Sequence, residues 1–116
     1  LKNNYALRLA IANIDLDLAE SMIIQALKDA PEQPGFVDTY GFVFFQKGDY
    51  AVAKSKFEIA YELTDKDESI LEHLGDVEFK LGNVEAAIDW WNKAKAIKSN
   101  EQLEKKIYDK IYYAPE

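Results

Sequence analysis

The sequence predicts an all-α fold of antiparallel helix hairpins stacked side by side, about seven helices in all. Two observations carry that expectation. A pattern of small and large apolar residues recurs at a fixed spacing, and within each copy the apolar residues fall at helical intervals. Composition agrees: of 116 residues, 48% are hydrophobic and 30% charged, enough for both a core and a solvated surface.

The repeat is read from the glycines first. Gly41 recurs as Gly75, 34 residues on, and Gly48 as Gly82. The same offset carries Val43 to Val77, Phe45 to Phe79, Ala53 to Ala87, Phe57 to Trp91, Ala60 to Ala94 and Leu63 to Ile97. Carried back, it brings Ala53 to Ala19, Phe57 to Ile23 and Ala60 to Ala26. The chain therefore divides into a degenerate copy over 1–33, full copies over 34–67 and 68–98, and a closing helix over 99–113. In the degenerate copy, Leu7 and Ile14 stand where the later copies have glycine.

Each full copy reads as two helices. Val37, Tyr40, Val43 and Phe44 mark the first, and Gly48 stops it because glycine takes a left-handed backbone without a Cβ penalty. Asp49 is placed to cap the second, whose stripe runs Tyr50, Ala53, Phe57, Ala60, Leu63. The next copy repeats the scheme with Leu71, Leu74, Val77 and Leu81, then Gly82 and Asn83 as stop and cap, then Val84, Ala87, Trp91, Ala94 and Ile97. Short loops force the paired helices antiparallel. The small residues are expected to set the approach, Gly41 facing Ala53 and Gly75 facing Ala87, with Phe57 and Trp91 filling the space one turn away. Ser99 and Gln102 read as a capping box for the closing helix, and Leu103, Ile107 and Ile111 form its single apolar stripe.

Composition also sets limits on chemistry. Fourteen Lys and Arg against 21 Asp and Glu give a net charge of −7, which argues against nucleic-acid binding. Without Cys there is neither a disulfide framework nor a thiolate metal site. No apolar run is long enough to insert directly into a membrane. His73, with Ser69 one turn earlier and Glu72 beside it, reads as part of a polar helix face, since no third group to orient the imidazole is visible. Asp65, Lys66, Asp67 and Glu68 lack the glycine of a calcium loop and read instead as a helix cap. Lys105, Lys106 and Lys110, with Tyr108, Tyr112 and Tyr113, read as the solvated face of the closing helix, because Glu101, Glu104 and Asp109 nearly cancel their charge. No catalytic, cofactor or metal residues are expected, and the chain is not read as an enzyme.

These residues resemble the tetratricopeptide repeat. Val37, Tyr40-Gly41, Phe44, Ala53 and Phe57 match the family pattern in kind, as do Leu71, Leu74-Gly75, Ala87 and Trp91. Pro31 fits the family's closing proline, whereas Asp65 and Ser99 replace it and Glu78 stands where an aromatic is usual. The resemblance implies a right-handed superhelix whose first helices line a concave groove for a peptide or partner surface. On that basis Asp38, Phe42, Phe45 and Gln46 would line it in one copy and Glu72, Asp76, Phe79 and Lys80 in the next. Asn4, Arg8 and Ile11 would be their counterparts in the degenerate copy. The family's basic clamp for a C-terminal carboxylate is not expected, because Asp38, Glu72, His73 and Asp76 occupy that face; a basic or apolar partner segment suits it better. Phe42 and Phe45 have a plainer reading, as packing against the irregular first copy.

A narrower likeness ties Asn3-Asn4-Tyr5-Ala6, Asp38-Thr39-Tyr40-Gly41 and Leu71-Glu72-His73-Leu74-Gly75-Asp76 to the C-terminal repeats of long bacterial repeat proteins. It implies either the cell envelope or periplasm, or the cytoplasm, of a bacterium. It also keeps a second reading open: a structural end to a longer array, or a homodimer formed through the N-terminal helix. Tyr5, Leu7, Leu9 and Ile11 make that helix apolar on several faces. The chain begins at Leu1 rather than Met, so an upstream segment is expected.

Overall fold

A computed structural model describes residues Lys2–Pro115, with side chains from Asn4 onward. Among the described residues there are seven α-helices and no strand: α1 (Lys2–Ala12), α2 (Leu16–Asp29), α3 (Pro34–Lys47), α4 (Tyr50–Leu63), α5 (Glu68–Lys80), α6 (Val84–Ile97) and α7 (Glu101–Asp109). The pairs α1–α2, α3–α4 and α5–α6 pack as hairpins, and each hairpin stacks on the next through α2–α3 and α4–α5. The first helices α1, α3 and α5 lie along one face, where α1 touches α3 and α3 touches α5; α7 packs on α6.

The helix ends follow from local chemistry. Gly48 and Gly82 adopt left-handed backbones, φ 86° and 90°, and close their helices. The amides of Gly48 and Asp49 donate to the carbonyls of Phe45 and Phe44, and those of Gly82 and Asn83 to Phe79 and Glu78. These paired bonds satisfy carbonyls that a helix end otherwise leaves bare. Asp49 caps α4 by accepting from the Val52 amide at 3.3 Å, and Asp67 caps α5 by accepting from Ser69 at 2.9 Å. Asn83 makes no side-chain cap; its amide group instead donates to Glu78. Asn100, not Ser99, caps α7, accepting from the Leu103 amide at 2.8 Å. The closing helix is also shorter than the expected 99–113, ending at Asp109 with Lys110 left-handed at φ 58°.

The first copy proves to be one residue out of register with the others. Its left-handed stop is Asn13, φ 57°, whose amide donates to Ala10 while that of Ile14 donates to Leu9. This is the bond pair seen after Gly48, so Asn13 rather than Ile14 takes the glycine's place. Asparagine is the residue after glycine that best tolerates that conformation. Moved by the same single residue, fully buried Ala6 rather than Leu7 corresponds to Gly41.

The hairpin contact also differs from the expected pairing of small with small. A Cβ on Gly41 would lie 2.7 Å from two ring carbons of Phe57 and 3.1 Å from the Lys56 Cβ. A Cβ on Gly75 would overlap the Trp91 ring and approach the Ala87 carbonyl oxygen to 3.0 Å. The aromatic rings of the second helices thus lie directly on the glycines of the first, and only a missing side chain allows it. Phe57, Trp91 and Ile23, the matching residues of the three copies, are all fully buried, as are Ala19, Ala53 and Ala87. Glu78 is buried but paired with Lys54 at 3.2 Å.

Gly75→Leu is expected to destabilise by at least ~1–3 kcal/mol through overpacking and Trp91→Ala by ~3–5 kcal/mol through the cavity it leaves. Thermal melts of the two variants check this. A melting temperature equal to the parent's in both would contradict the glycine–aromatic contact.

Candidate functional site

A cleft of about 400 Å³ opens where α1, α3, α5 and α7 converge. Leu7 and Ile11 come from α1, Asp38, Thr39 and Phe42 from α3, and Asp67, Ser69, Glu72, His73 and Asp76 from α5 and its cap. Gln102 and Lys106 of α7, with Pro115 of the following arm, form the remaining wall. Another hollow, of about 440 Å³, is lined by residues of α2 alone and brings no separate elements together.

The floor of the cleft is a ring stack. His73 lies 5.0 Å from Phe42 and 5.2 Å from Phe57, tilted by only 17° and 26°. Its Nδ1 pairs with both carboxylate oxygens of Asp38, at 2.9 and 3.0 Å. Asp38 therefore supplies the orienting group that the sequence did not reveal, and His73 is a sandwiched, part-buried residue rather than one on an open polar face. Burial by itself pushes the His73 pKa down. The charge and hydrogen bond of Asp38, with the charges of Asp76 and Glu72, outweigh it and hold the pKa above the usual histidine value. Among the described residues no hydrogen bond joins His73 to Ser69.

Beside this stack lies a second charged cluster. Lys106, only 2% exposed, donates to Glu72 at 2.7 Å and to Asp76 at 2.9 Å. Trp91 Nε1 donates to the same Asp76 oxygen at 3.0 Å, and Asn100 reaches Glu72 at 3.4 Å. Burial pushes the Asp76 carboxyl above the usual carboxylate range, against the pull of Lys106 and His73. Lys106 is thus not part of the solvated face read for α7; it turns inward on the same face as Leu103. Removing one member of such a buried pair typically costs about 3–5 kcal/mol, because the partner charge is left unpaired.

No protein-family model matches the sequence, and a comparison with curated proteins finds no match. Solved structures do match. The first repeat domain of Spaghetti (RPAP3), bound to the HSP90 peptide SRMEEVD, superposes with a TM-score of 0.83 at 15% identity, covering 94% of this chain and 86% of that one. The Sgt2 repeat domain of Aspergillus fumigatus gives 0.82 at 18% identity, covering 94% and 74%. The type III secretion translocator chaperone SycD of Yersinia enterocolitica gives 0.79 at 11% identity, covering 94% and 80%. The chain has the tetratricopeptide-repeat fold.

Within that fold, the residues expected at the groove fall into two groups. Asp38, Phe42, Glu72 and Asp76 come together in the cleft, and Ile11 joins them. Phe45, Gln46, Phe79 and Lys80 lie outside it. Phe45 packs edge-on against Tyr50 and Tyr112, Gln46 donates to the Ala10 carbonyl at 2.8 Å, Phe79 stacks on Trp91, and Lys80 lies over the Tyr112 ring. Asn4 is exposed, and so is Arg8; neither lines the cleft. The sequence reading placed His73 on this face without naming it among the lining residues, and it missed Lys106, Gln102 and Pro115. Lys106 carried a signal: it stands three residues after Leu103, on the helix's inner stripe.

A raised folded-state pKa means that His73 contributes stability present in full below its unfolded value, about 6.5, and lost as pH climbs through the folded value. The melting temperature should therefore fall as pH rises from about 6.5. Asp38→Asn should lower the His73 pKa and flatten that slope. Melts across the range decide it; equal slopes in parent and variant would rule out the Asp38–His73 pair as the source.

Proposed function

We propose that the chain is a non-catalytic protein-interaction module that holds a basic or apolar peptide segment in this cleft. One observation supports the reading above the others: Asp38, Asp67, Glu72 and Asp76 line the same cleft as the apolar side chains of Leu7, Ile11 and Phe42, with Lys106 and the imidazole of His73 as their partners. A surplus of carboxylates beside an apolar floor favours a partner with alternating cationic and apolar groups, charge setting register and apolar burial setting affinity. Two proteins of the same fold, one bound to a peptide and the other a translocator chaperone, lend support to the module class. The acidic peptide SRMEEVD held by the RPAP3 domain would be repelled here, so a partner of opposite charge is inferred.

Labelled octapeptides alternating Lys with Leu, or Glu with Leu, test this by fluorescence anisotropy. The basic peptide should bind at least ~10-fold more tightly, and high salt should weaken it. Asp67→Asn keeps a good helix cap while removing one charge, and should weaken binding ~3–10-fold without lowering stability. Equal affinity for the two peptides would end the reading.

A second reading, association through the N-terminal hairpin, is supported by the exposure of Tyr5, Ile14 and Leu18, at 48%, 57% and 44%. Leu9 is already buried within the chain, which leaves these three residues and Ile11 as the exposed large apolar side chains of that hairpin. Sedimentation of the parent should reveal a concentration-dependent dimer that Ile14→Glu with Leu18→Glu abolishes; a monomer at every concentration excludes self-pairing.

A further inference from the structure

The half of the concave face that does not form the cleft is covered by the chain itself. After α7 the left-handed Lys110 turns the backbone, and residues 110–115 run back across the face as an arm. The Tyr112 ring meets Phe45 edge-on at 5.4 Å, and Phe45 in turn meets Tyr50 at 5.3 Å. The ammonium groups of Lys80 and Lys106 stand 4.7 and 5.2 Å from the Tyr112 ring centroid. Burial pushes the Tyr112 phenol well above the usual tyrosine range.

The arm's attachment is thin. Apart from Tyr112 it is tied by the bond from Gln102 Nε2 to the Ala114 carbonyl, 3.0 Å, by the Ile111 amide donating to the Lys106 carbonyl at 3.3 Å where the arm leaves α7, and by Pro115 against the cleft wall. Tyr113 turns to its own vicinity, donating to Asp109 at 2.7 Å with Lys105 over its ring, and Ile111 is exposed. By contrast α7 is anchored by fully buried Leu103 and by Lys106. The arm can therefore leave at Lys110 while α7 stays. What it would uncover is a seat with Phe45 and Tyr50 as walls and two ammonium groups beside it. Cations are drawn to a ring face and repel another cation, so the seat suits an aromatic side chain.

We propose that the Tyr112 seat is an aromatic subsite of the groove, filled here by the chain's own arm, and that a partner segment bearing Tyr, Phe or Trp enters it by displacing residues 110–115. This rests on the groove reading above and extends it: the partner places an aromatic side chain at Phe45 and cationic groups in the neighbouring acidic cleft. The arm then acts as an internal competitor, its short tether giving it an effective concentration of order mM.

The test uses the full chain and a capped hexapeptide of residues 110–115, Lys-Ile-Tyr-Tyr-Ala-Pro, titrated against the parent and against Tyr112→Ala. Binding is read from backbone amide shifts at Phe45, Tyr50 and Lys80. The hexapeptide should bind Tyr112→Ala at least ~10-fold more tightly than the parent, and a hexapeptide with alanine in the Tyr112 position should bind neither. Equal affinity for both chains or for both peptides, or no shift at those residues with millimolar peptide, overturns the proposal. The alternating Lys–Leu octapeptide is titrated on the same variant: if it binds while the hexapeptide does not, the aromatic subsite fails and the acidic cleft stands. Hydrogen exchange on the unmodified parent is an independent check. Amides 111–114 should exchange well before those of Leu103–Ile107, and equal protection would refute a detachable arm.

Discussion

The contact between Trp91 and Gly75 underlies both the fold and the site. Because position 75 has no side chain, the α6 ring lies against the α5 backbone and its Nε1 reaches the buried Asp76 carboxylate. Asp76 is thereby held in place to receive Lys106, and Lys106 brings α7 across the end of the concave face. One missing Cβ thus sets the helix spacing, aims a buried carboxylate and fixes the wall of the cleft. Gly41 and Phe57 likewise set the helix spacing of the middle hairpin, where the Phe57 ring serves a second purpose as one face of the His73 sandwich.

Charge on the concave face is organised rather than merely dense. Asp38 is committed to His73, and Glu72 and Asp76 to Lys106. These pairs sit at low exposure, where an unpaired charge is costly and a paired one is held rigidly. The result is a face with two characters. One half is an acidic cleft floored by Phe42, and the other is an aromatic seat flanked by Lys80 and Lys106 and covered by Tyr112. Lys106 belongs to both, so the position of α7 couples them.

The degenerate first copy illustrates how a fold can be kept while its signature fades. Glycine is required in a hairpin only where a bulky ring lies on it or where the backbone turns left-handed. In the first hairpin the ring is replaced by Ile23 and the glycine by buried Ala6, while Asn13 makes the turn. A strict 34-residue register places Leu7 and Ile14 at these points, which made the copy look more divergent than it is. Leu7 is released from the hairpin contact and instead lines the cleft.

The period, the helix stripes and the stop signals were enough to specify hairpins, their order and most of their buried residues. Those properties arise from contacts between residues close in sequence or one repeat apart, and each leaves a periodic mark. Spacing placed Asp38 and Phe42 on one face of α3 and Glu72 and Asp76 on one face of α5, whereas the expectation that these faces line a groove came from the family resemblance. Tertiary structure alone decided which charges pair, that Lys106 points inward, and that Tyr112 takes the place beside Phe45. The Lys106 and Tyr112 choices join α5 or α3 to a closing segment outside the repeat, where no periodicity constrains the partner, and the Asp38–His73 pair crosses from one repeat to the next. Only the relative placement of the packed helices brings such groups within hydrogen-bond reach.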